Sequence, residues 1–227
     1  MHASLPAGSV LRPRFGLVLI LGASLALSTA MIAYRLFWTR EFTYSFLLWN
    51  LFLAAIPLGL SLLLGMMTPE RRRFWLLPIS ALWLLFFPNA PYILTDLLHL
   101  GRYSGIPLWY DLLLIVTAAW NGLMLGYASL LDMQRFVEER LGWLAGWAFS
   151  TGVLALSGYG VYLGRFHRWN SWDIVTNPFS LAYDILDTLL HPNHHHRAVG
   201  VTVLLGAFLL LGYLTLRALG RLQVAED

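Results

Sequence analysis

Cysteine is absent from this chain of 227 residues, and so is lysine. Without cysteine the protein has no disulfide, no thiolate nucleophile and no cysteine-ligated metal. All fifteen basic residues are arginines, so the pI of about 9.4 arises from guanidinium groups. A GC-rich genome is one explanation of this bias, and phosphate binding by planar, bidentate donors is the other.

Charge is also scarce. Only 12% of the residues are charged, against roughly a quarter in an ordinary soluble domain, while 58% are hydrophobic and the mean hydropathy is +0.64. These values indicate that most of the protein surface is in contact with lipid. We therefore expect the lipid bilayer as partner and no nucleic acid.

Long apolar segments divide the chain. A bilayer core about 30 Å thick needs about 20 apolar residues per helix. Six segments are candidates: 15–34, 46–67, 74–87, 108–131, 141–164 and 200–219. We expect an all-α, polytopic helical membrane protein, with residues 1–227 as a single transmembrane domain.

The positions of the arginines predict the orientation, because cytoplasmic loops carry an excess of them. One side of the membrane would have nine: Arg12, Arg14, Arg71, Arg72, Arg73, Arg135, Arg140, Arg217 and Arg221. The other would have six: Arg35, Arg40, Arg102, Arg165, Arg168 and Arg197. We predict a multi-pass protein of the cell membrane, in a bacterium its inner membrane, with both termini cytoplasmic.

Two features leave alternatives open. Arg12, Arg14 and the stretch "ALSTAMIA" also resemble a signal peptide, whose cleavage would leave five spans. Glycine pairs four residues apart, as at Gly122 and Gly126, permit close helix packing in spans four and five, within the chain or in a homo-oligomer.

Asn50 and Asn121 are polar residues in apolar spans, and we interpret them as interhelical hydrogen-bonding groups.

The stretch "FFPNAPYILTDLLHLGRYSGIPLWYD", residues 86–111, interrupts the apolar pattern. Its two prolines should end span three near Phe87, and Asn89 is placed to cap a short helix that stops at Gly101. Tyr92, Asp96 and His99 have the i, i+4, i+7 spacing of one helical face. This helix would lie in the outer loop 88–107.

The second outer loop, 165–199, begins with "RFHRWNSWD" and continues into a helix that starts at Pro178. "FSLAYDILDTLL" places Asp184 and Asp187 opposite a leucine-rich stripe, which is typical of a helix lying in the membrane interface. The two loops thus supply two short interfacial helices on one side of the membrane. The histidine run 191–196 is interpreted as a solvated loop.

Ionisable residues of the two loops are the candidate site. Asp96 and His99 are the acid/base candidates. The candidates for substrate binding share polar side chains on the same side of the membrane: Asn89, Tyr92, Thr95, Asp111, Arg165, Arg168, Asn170 and Asp173. The competing interpretation is that Asp96 and Asp111 pair with Arg165 or Arg168 only to tie the loops together.

A metal site is a weaker hypothesis. Imidazole and carboxylate ligands from Asp96, His99, His167 and Asp173 would suit zinc or manganese, but no HExxH motif is present. We assign no metal and no cofactor from this pattern.

Two of these stretches carry a resemblance. "FPNAPYILTDLLHL" together with "RFHRWNSWD" resembles the signature of the bacterial domain-of-unknown-function family numbered 1361, from span two onward. The resemblance implies a helical integral membrane protein with polar loops as its hallmark. It implies no activity, so no catalytic role is transferred.

Three hypotheses of function follow. The first is a membrane enzyme acting on a lipid-linked or interfacial anionic substrate, with Arg165 and Arg168 holding the anion. The second is a transporter, which would favour an inverted repeat and ionisable residues near the midplane; neither is evident. The third is a non-catalytic scaffold whose polar cluster is paired internally.

Overall fold

The computed structural model describes residues 7–101 and 105–224. Arg102, which entered the orientation count, lies outside these residues, and the side chains of Arg12 and Arg14 lie outside the described ones. Every regular element in these ranges is helical. The elements are α1 (Ala7–Thr39), α2 (Phe46–Met66), α3 (Pro69–Phe86), α4 (Asn89–Tyr92), α5 (Leu108–Leu141), α6 (Trp143–Tyr162), α7 (Asp173–Thr176), α8 (Pro178–Leu190) and α9 (His196–Val224).

Six of the described helical segments are long and apolar enough to cross a membrane, which confirms the all-α, polytopic architecture. Helix α3 begins at Pro69, earlier than the predicted residue 74. Its apolar run continues through α4 and a 3₁₀ turn, Ile93–His99, so that the whole segment Glu70–His99 is a candidate span. The polar stretch therefore lengthens the third span and does not merely truncate it.

Helix α5 is the centre of the bundle. Within its most apolar window 61% of the residues are buried, compared with 44% in α2, 39% in α6 and 17% in both α1 and α9. It packs against α1, α2, α4, α6 and the 3₁₀ turn, whereas α9 packs mainly on α6 and is joined to α5 by hydrogen bonds such as that from the Tyr127 hydroxyl to the Leu209 carbonyl. Spans four and five were expected at the centre; α5 is there, but α2 is more enclosed than α6.

Glycine permits the closest helix contact. A Cβ atom at Gly122 of α5 would lie 2.4 Å from the carbonyl oxygen of Ala90, so only glycine lets α4 rest against α5. Asn121, beside it, donates from Nδ2 to Ser28 Oγ at 2.8 Å and to the Ser24 carbonyl at 3.1 Å. Asn121 is thus an interhelical hydrogen-bonding residue, as interpreted from the sequence.

Segments 88–101, 105–107 and 163–195 lie at one end of the bundle, which we call the long-loop end. The opposite end has its own polar contacts. Gln134 of α5 accepts from Ser150 of α6 at 2.8 Å and from Tyr213 of α9 at 2.6 Å, and donates to Glu138 at 2.6 Å. These bonds join three helices, so they fix the bundle whose other end carries the candidate site.

Candidate functional site

Asp96 is the centre of the polar cluster at the long-loop end, and only 1% of it is exposed. Its Oδ2 accepts a hydrogen bond from Asn50 Nδ2 at 2.8 Å. Its Oδ1 lies 3.3 Å from Arg165 Nη1 and 3.7 Å from His99 Nδ1. A carboxylate this deeply buried requires such partners, because its charge would otherwise be uncompensated.

Arg165 joins the two loops. It lies in a π-helical turn, Leu163–His167, that extends α6, and its Nη2 lies 3.1 Å from His99 Nδ1. Its guanidinium carbon is 5.9 Å from the centre of the Tyr92 ring. Asp96, His99 and Tyr92 therefore do share one side, as the spacing predicted, and Arg165 is the group that they meet.

Asp111 is not part of this cluster. It binds Arg35 of α1, with Nε–Oδ1 at 2.7 Å and Nη2–Oδ2 at 3.1 Å. Arg35 also contacts Thr43 and lies 4.5 Å from the centre of the Tyr44 ring. The expectation that Asp111 pairs with Arg165 or Arg168 is wrong, because the start of α5 packs against α1, where Arg35 is the partner of Asp111 and the Met31 carbonyl that of Tyr110.

Arg168 also differs from the prediction. It ends the π-helical turn in a left-handed conformation with φ of 62°, its side chain is exposed, and it makes no ion pair with the described residues. The turn directs residues 165 and 168 apart, so that only Arg165 reaches Asp96. The structure brings together four of the predicted site residues, Tyr92, Asp96, His99 and Arg165, but leaves Arg168 outside.

Asn89 has a different role from the predicted helix cap. It is the first residue of α4, one position after the N-cap Pro88, and its Nδ2 donates to the Phe86 carbonyl and to Ser171 Oγ, both at 2.9 Å. Ser171 in turn donates to the Leu85 carbonyl at 3.0 Å. Asn89 therefore binds the end of α3 and attaches the second loop to it, because α4 follows α3 too closely for a free N-terminus.

The remaining candidates make local contacts. Thr95 donates to the Tyr92 carbonyl at 2.7 Å. Asp173 accepts from the backbone N–H of Asn170 at 2.6 Å, and this bond is the main cause that lowers the pKa of its carboxyl. The first bond lies within the 3₁₀ turn, and the second shapes the start of α7.

His167 lies apart from Asp96 and His99. Its Nδ1 is 3.0 Å from Asp184 Oδ2 and its Nε2 is 3.1 Å from the Tyr162 hydroxyl. Asp184 also accepts from Trp169 Nε1 at 2.7 Å. Within residues 7–101 and 105–224 no group of three or more histidine, aspartate or glutamate side chains is arranged to hold a metal ion.

A cavity of about 470 Å³ lies beside the cluster. One wall, from α2 and α3, is apolar except for the Asn50 amide and the Trp49 indole N–H. The other carries amide, hydroxyl and aromatic groups from α4 and the second loop, and α7 and α8 close the cavity. Its principal lining residues are Trp49, Asn50, Leu53, Ala81, Leu84, Leu85, Asn89, Tyr92, Trp169, Asn170, Ser171, Ile174, Leu181 and Ile185. Asp96, His99 and Arg165 do not line it; Asn50 and Tyr92 separate them from it.

Asn89, Tyr92 and Asn170, which were predicted as site residues from the sequence, line the cavity. Asn50 and Ser171 also line it and were not among the predicted site residues. Asn50 carried a usable signal, since it was one of two asparagines in an apolar span. Ser171 carried none beyond its place in the second loop. The family model described as "Protein of unknown function (DUF1361)" matches residues 49–211, which include every lining residue.

The chain belongs to this family of proteins of unknown function. The matched region begins at Trp49 in the cavity wall and ends in α9, so it covers three of the six candidate spans completely, most of two others, and both loops. No curated protein and no solved structure matches the chain. The function must therefore be inferred from the cavity and its surroundings.

Proposed function

We propose that this member of the family binds a membrane amphiphile, with its chains against the apolar wall of the cavity and its headgroup at the polar wall. The observation that carries the proposal is the cavity itself. Its volume of about 470 Å³ is within the roughly 300–1,000 Å³ of ligand sites, which are mostly apolar with a few placed polar groups.

A lateral entrance supports a ligand from the bilayer. Trp49 of α2 is 53% exposed and Leu84 of α3 is 38% exposed, although both belong to apolar spans and both line the cavity. Surfaces exposed on such spans face lipid. The cavity is therefore continuous with the lipid-facing surface, and a chain could enter between α2 and α3.

The second loop closes the cavity from the side opposite the spans. Leu181 and Ile185 of α8 and Ile174 of α7 line it, while Phe179 and Tyr183 of α8 are 89% and 69% exposed. Apolar side chains exposed on a helix at the end of a bundle suit the membrane interface. In this proposal α8 lies in the interface and covers the bound headgroup.

The buried cluster has a positioning role in this proposal. Asp96 fixes Asn50 through its amide, and Arg165 fixes Tyr92 through its ring, so both lining residues are held from behind. The enzyme hypothesis, with Asp96 and His99 as acid and base, is the second candidate. Only the position of Asp96 and His99 directly behind the lining residues favours the enzyme hypothesis. Arg165 already contacts both Asp96 and His99, so it is not available to bind an anionic substrate.

The orientation is part of the proposal. We place the long-loop end on the outer side of the cell membrane and both termini in the cytoplasm, because nine arginines against six favour it. Because the chain lacks cysteine, a single introduced cysteine is the one thiol that a maleimide can label, and its labelling reports the side of the membrane on which it lies. A membrane-impermeant maleimide should label Asn193→Cys in intact cells but not Glu70→Cys; the reverse pattern would overturn the orientation.

The experiment for the binding function fills the cavity. Ala81→Phe places a ring inside it, and Ala207→Phe adds the same ring to an exposed position on α9 as the matched control. We expect native mass spectrometry of the purified chain to find retained lipid reduced about tenfold, the effect of roughly 1.4 kcal/mol, in Ala81→Phe alone. Equal retention in both variants would contradict the proposal.

A further inference from the structure

We propose that the headgroup taken by the cavity is uncharged and rich in hydroxyls, as in the sugar of a glycolipid. This inference rests on the proposed amphiphile binding and names the class of ligand. It follows from the charges near the cavity and from the lining donors and acceptors that make no hydrogen bond with the described part of the chain.

Charge is the first constraint. None of the lining residues is an arginine, histidine, aspartate or glutamate. The nearest buried charges neutralise one another, since Asp96 Oδ1 lies 3.3 Å from Arg165 Nη1 behind the wall. An anionic headgroup would lose its water and meet no cation, and a cationic one would meet no carboxylate, so both would bear an uncompensated desolvation cost.

Two amide groups are fixed acceptors. Asn50 Nδ2 is bonded to Asp96, and Asn89 Nδ2 is bonded to the Phe86 carbonyl and Ser171 Oγ. Turning either amide would set its oxygen against a carboxylate or a carbonyl oxygen, so the orientation is determined. Neither Oδ1 has a hydrogen-bond partner among the described residues, and a ligand must therefore bring donors to them.

Donors and flat rings complete the match. The Tyr92 hydroxyl and the Trp49 indole N–H make no hydrogen bond with the part of the chain that is described, so they are free to donate. A hydroxyl both donates and accepts, and a set of hydroxyls can satisfy both kinds of group at once. Trp169, whose Nε1 is bonded to Asp184, adds an aromatic face with negative charge density for the C–H groups of a sugar ring.

The test compares headgroups on identical chains. The full-length protein, purified in a zwitterionic detergent without sugar, is titrated by native mass spectrometry with monogalactosyl diacylglycerol, phosphatidylglycerol and phosphatidylethanolamine of the same acyl composition. We expect the galactolipid to bind at least about tenfold more tightly than either phospholipid. Methyl galactoside, which supplies the headgroup without chains, should bind more weakly than the galactolipid; equal affinity would overturn the assignment to a lipid.

Variants link the preference to the named groups. Tyr92→Phe keeps the ring that Arg165 contacts but removes the hydroxyl, and Asn89→Leu removes the acceptor; each should reduce the galactolipid preference about three- to tenfold. Thermal unfolding of each variant identifies any loss of binding that is due to misfolding. Tyr92→Phe alters no hydrogen bond within the described part of the chain, so its galactolipid preference is the deciding result. Preference for either phospholipid, or an unchanged preference in Tyr92→Phe, would overturn the inference.

The two proposals fail differently. If all three lipids bind equally and all are lost in Ala81→Phe, the binding function stands and the headgroup inference is overturned. If Ala81→Phe binds every lipid as the unaltered chain does, the binding function itself fails and the inference fails with it.

Discussion

Arg35 and Asp111 form a two-pronged ion pair between α1 and α5, with N–O distances of 2.7 and 3.1 Å, and both side chains are essentially inaccessible. The guanidinium also contacts Thr43 and the Tyr44 ring, so the turn after α1 is attached to the same group. This pair holds the first span to the central helix.

Removing one partner should therefore destabilise the fold. We expect Arg35→Met to lower the free energy of unfolding by about 3–5 kcal/mol, because it leaves the Asp111 carboxylate buried and unpaired. The double variant Arg35→Met with Asp111→Leu should recover much of the loss, since no charge is then left. Thermal unfolding in detergent measures both; a double variant no more stable than the single one would contradict this account.

Arg165 and Arg168 provide a matched comparison. Arg165→Ala removes the cation beside buried Asp96, and we expect a loss of stability of several kcal/mol. Arg168→Ala removes an exposed side chain, so its effect should stay within about 0.5 kcal/mol. Thermal unfolding of the two variants side by side checks this, and similar losses in both would show that Arg168 has a role the contacts do not explain.

Two glycines test the closeness of packing. Gly122→Ala places a Cβ 2.4 Å from the Ala90 carbonyl oxygen, and we expect a loss of about 1–3 kcal/mol as α4 moves away from α5. Gly152→Ala on α6 meets nothing within 4 Å, so its change should be stabilising by up to about 1 kcal/mol. Chemical denaturation of both variants measures the difference; equal effects would contradict the α4–α5 contact.

The connection between α8 and α9 should loosen in acid. The carboxylate of Asp187 accepts hydrogen bonds from His195 and His191. These bonds, the one from His195 most strongly, lower the pKa of Asp187 below its usual value. A lowered carboxyl pKa contributes stability above the unfolded-state pKa, and this is lost as the pH falls through the folded-state value. Hydrogen exchange of residues 188–196, corrected for its intrinsic pH dependence, should rise at low pH, and Asp187→Asn should abolish the change. A change that persists in Asp187→Asn would assign it elsewhere.

The sequence predicted the spans well because lipid imposes a simple rule: about 20 apolar residues without charge form a helix. It also indicated that Asp96 and His99 share a side, which follows from local spacing. It did not predict that Asp111 binds Arg35 and not Arg165, because that depends on which helices are neighbours. Helix neighbours in lipid are set by small side chains and scattered polar groups, as at Gly122 and Asn121, and these cannot be paired from one sequence.

The cavity was beyond prediction for a related reason. Asn50 on α2 and Asn89 on α4 are distant in sequence, and they line one space only because Gly122 allows α4 to sink against α5. Proline and asparagine signals indicated where the chain leaves the apolar pattern. They could not show that Asn89 would bind Phe86 and Ser171 in place of capping a helix.

A crystal structure of the full chain grown in a lipidic mesophase would show whether the cavity holds a lipid. We expect elongated density along Trp49, Leu53 and Leu84, ending in a headgroup within hydrogen-bonding distance of the side-chain oxygens of Asn50 and Asn89. Density for Leu181 and Ile185 packed against Leu84, with no space left between α8 and α3, would contradict it.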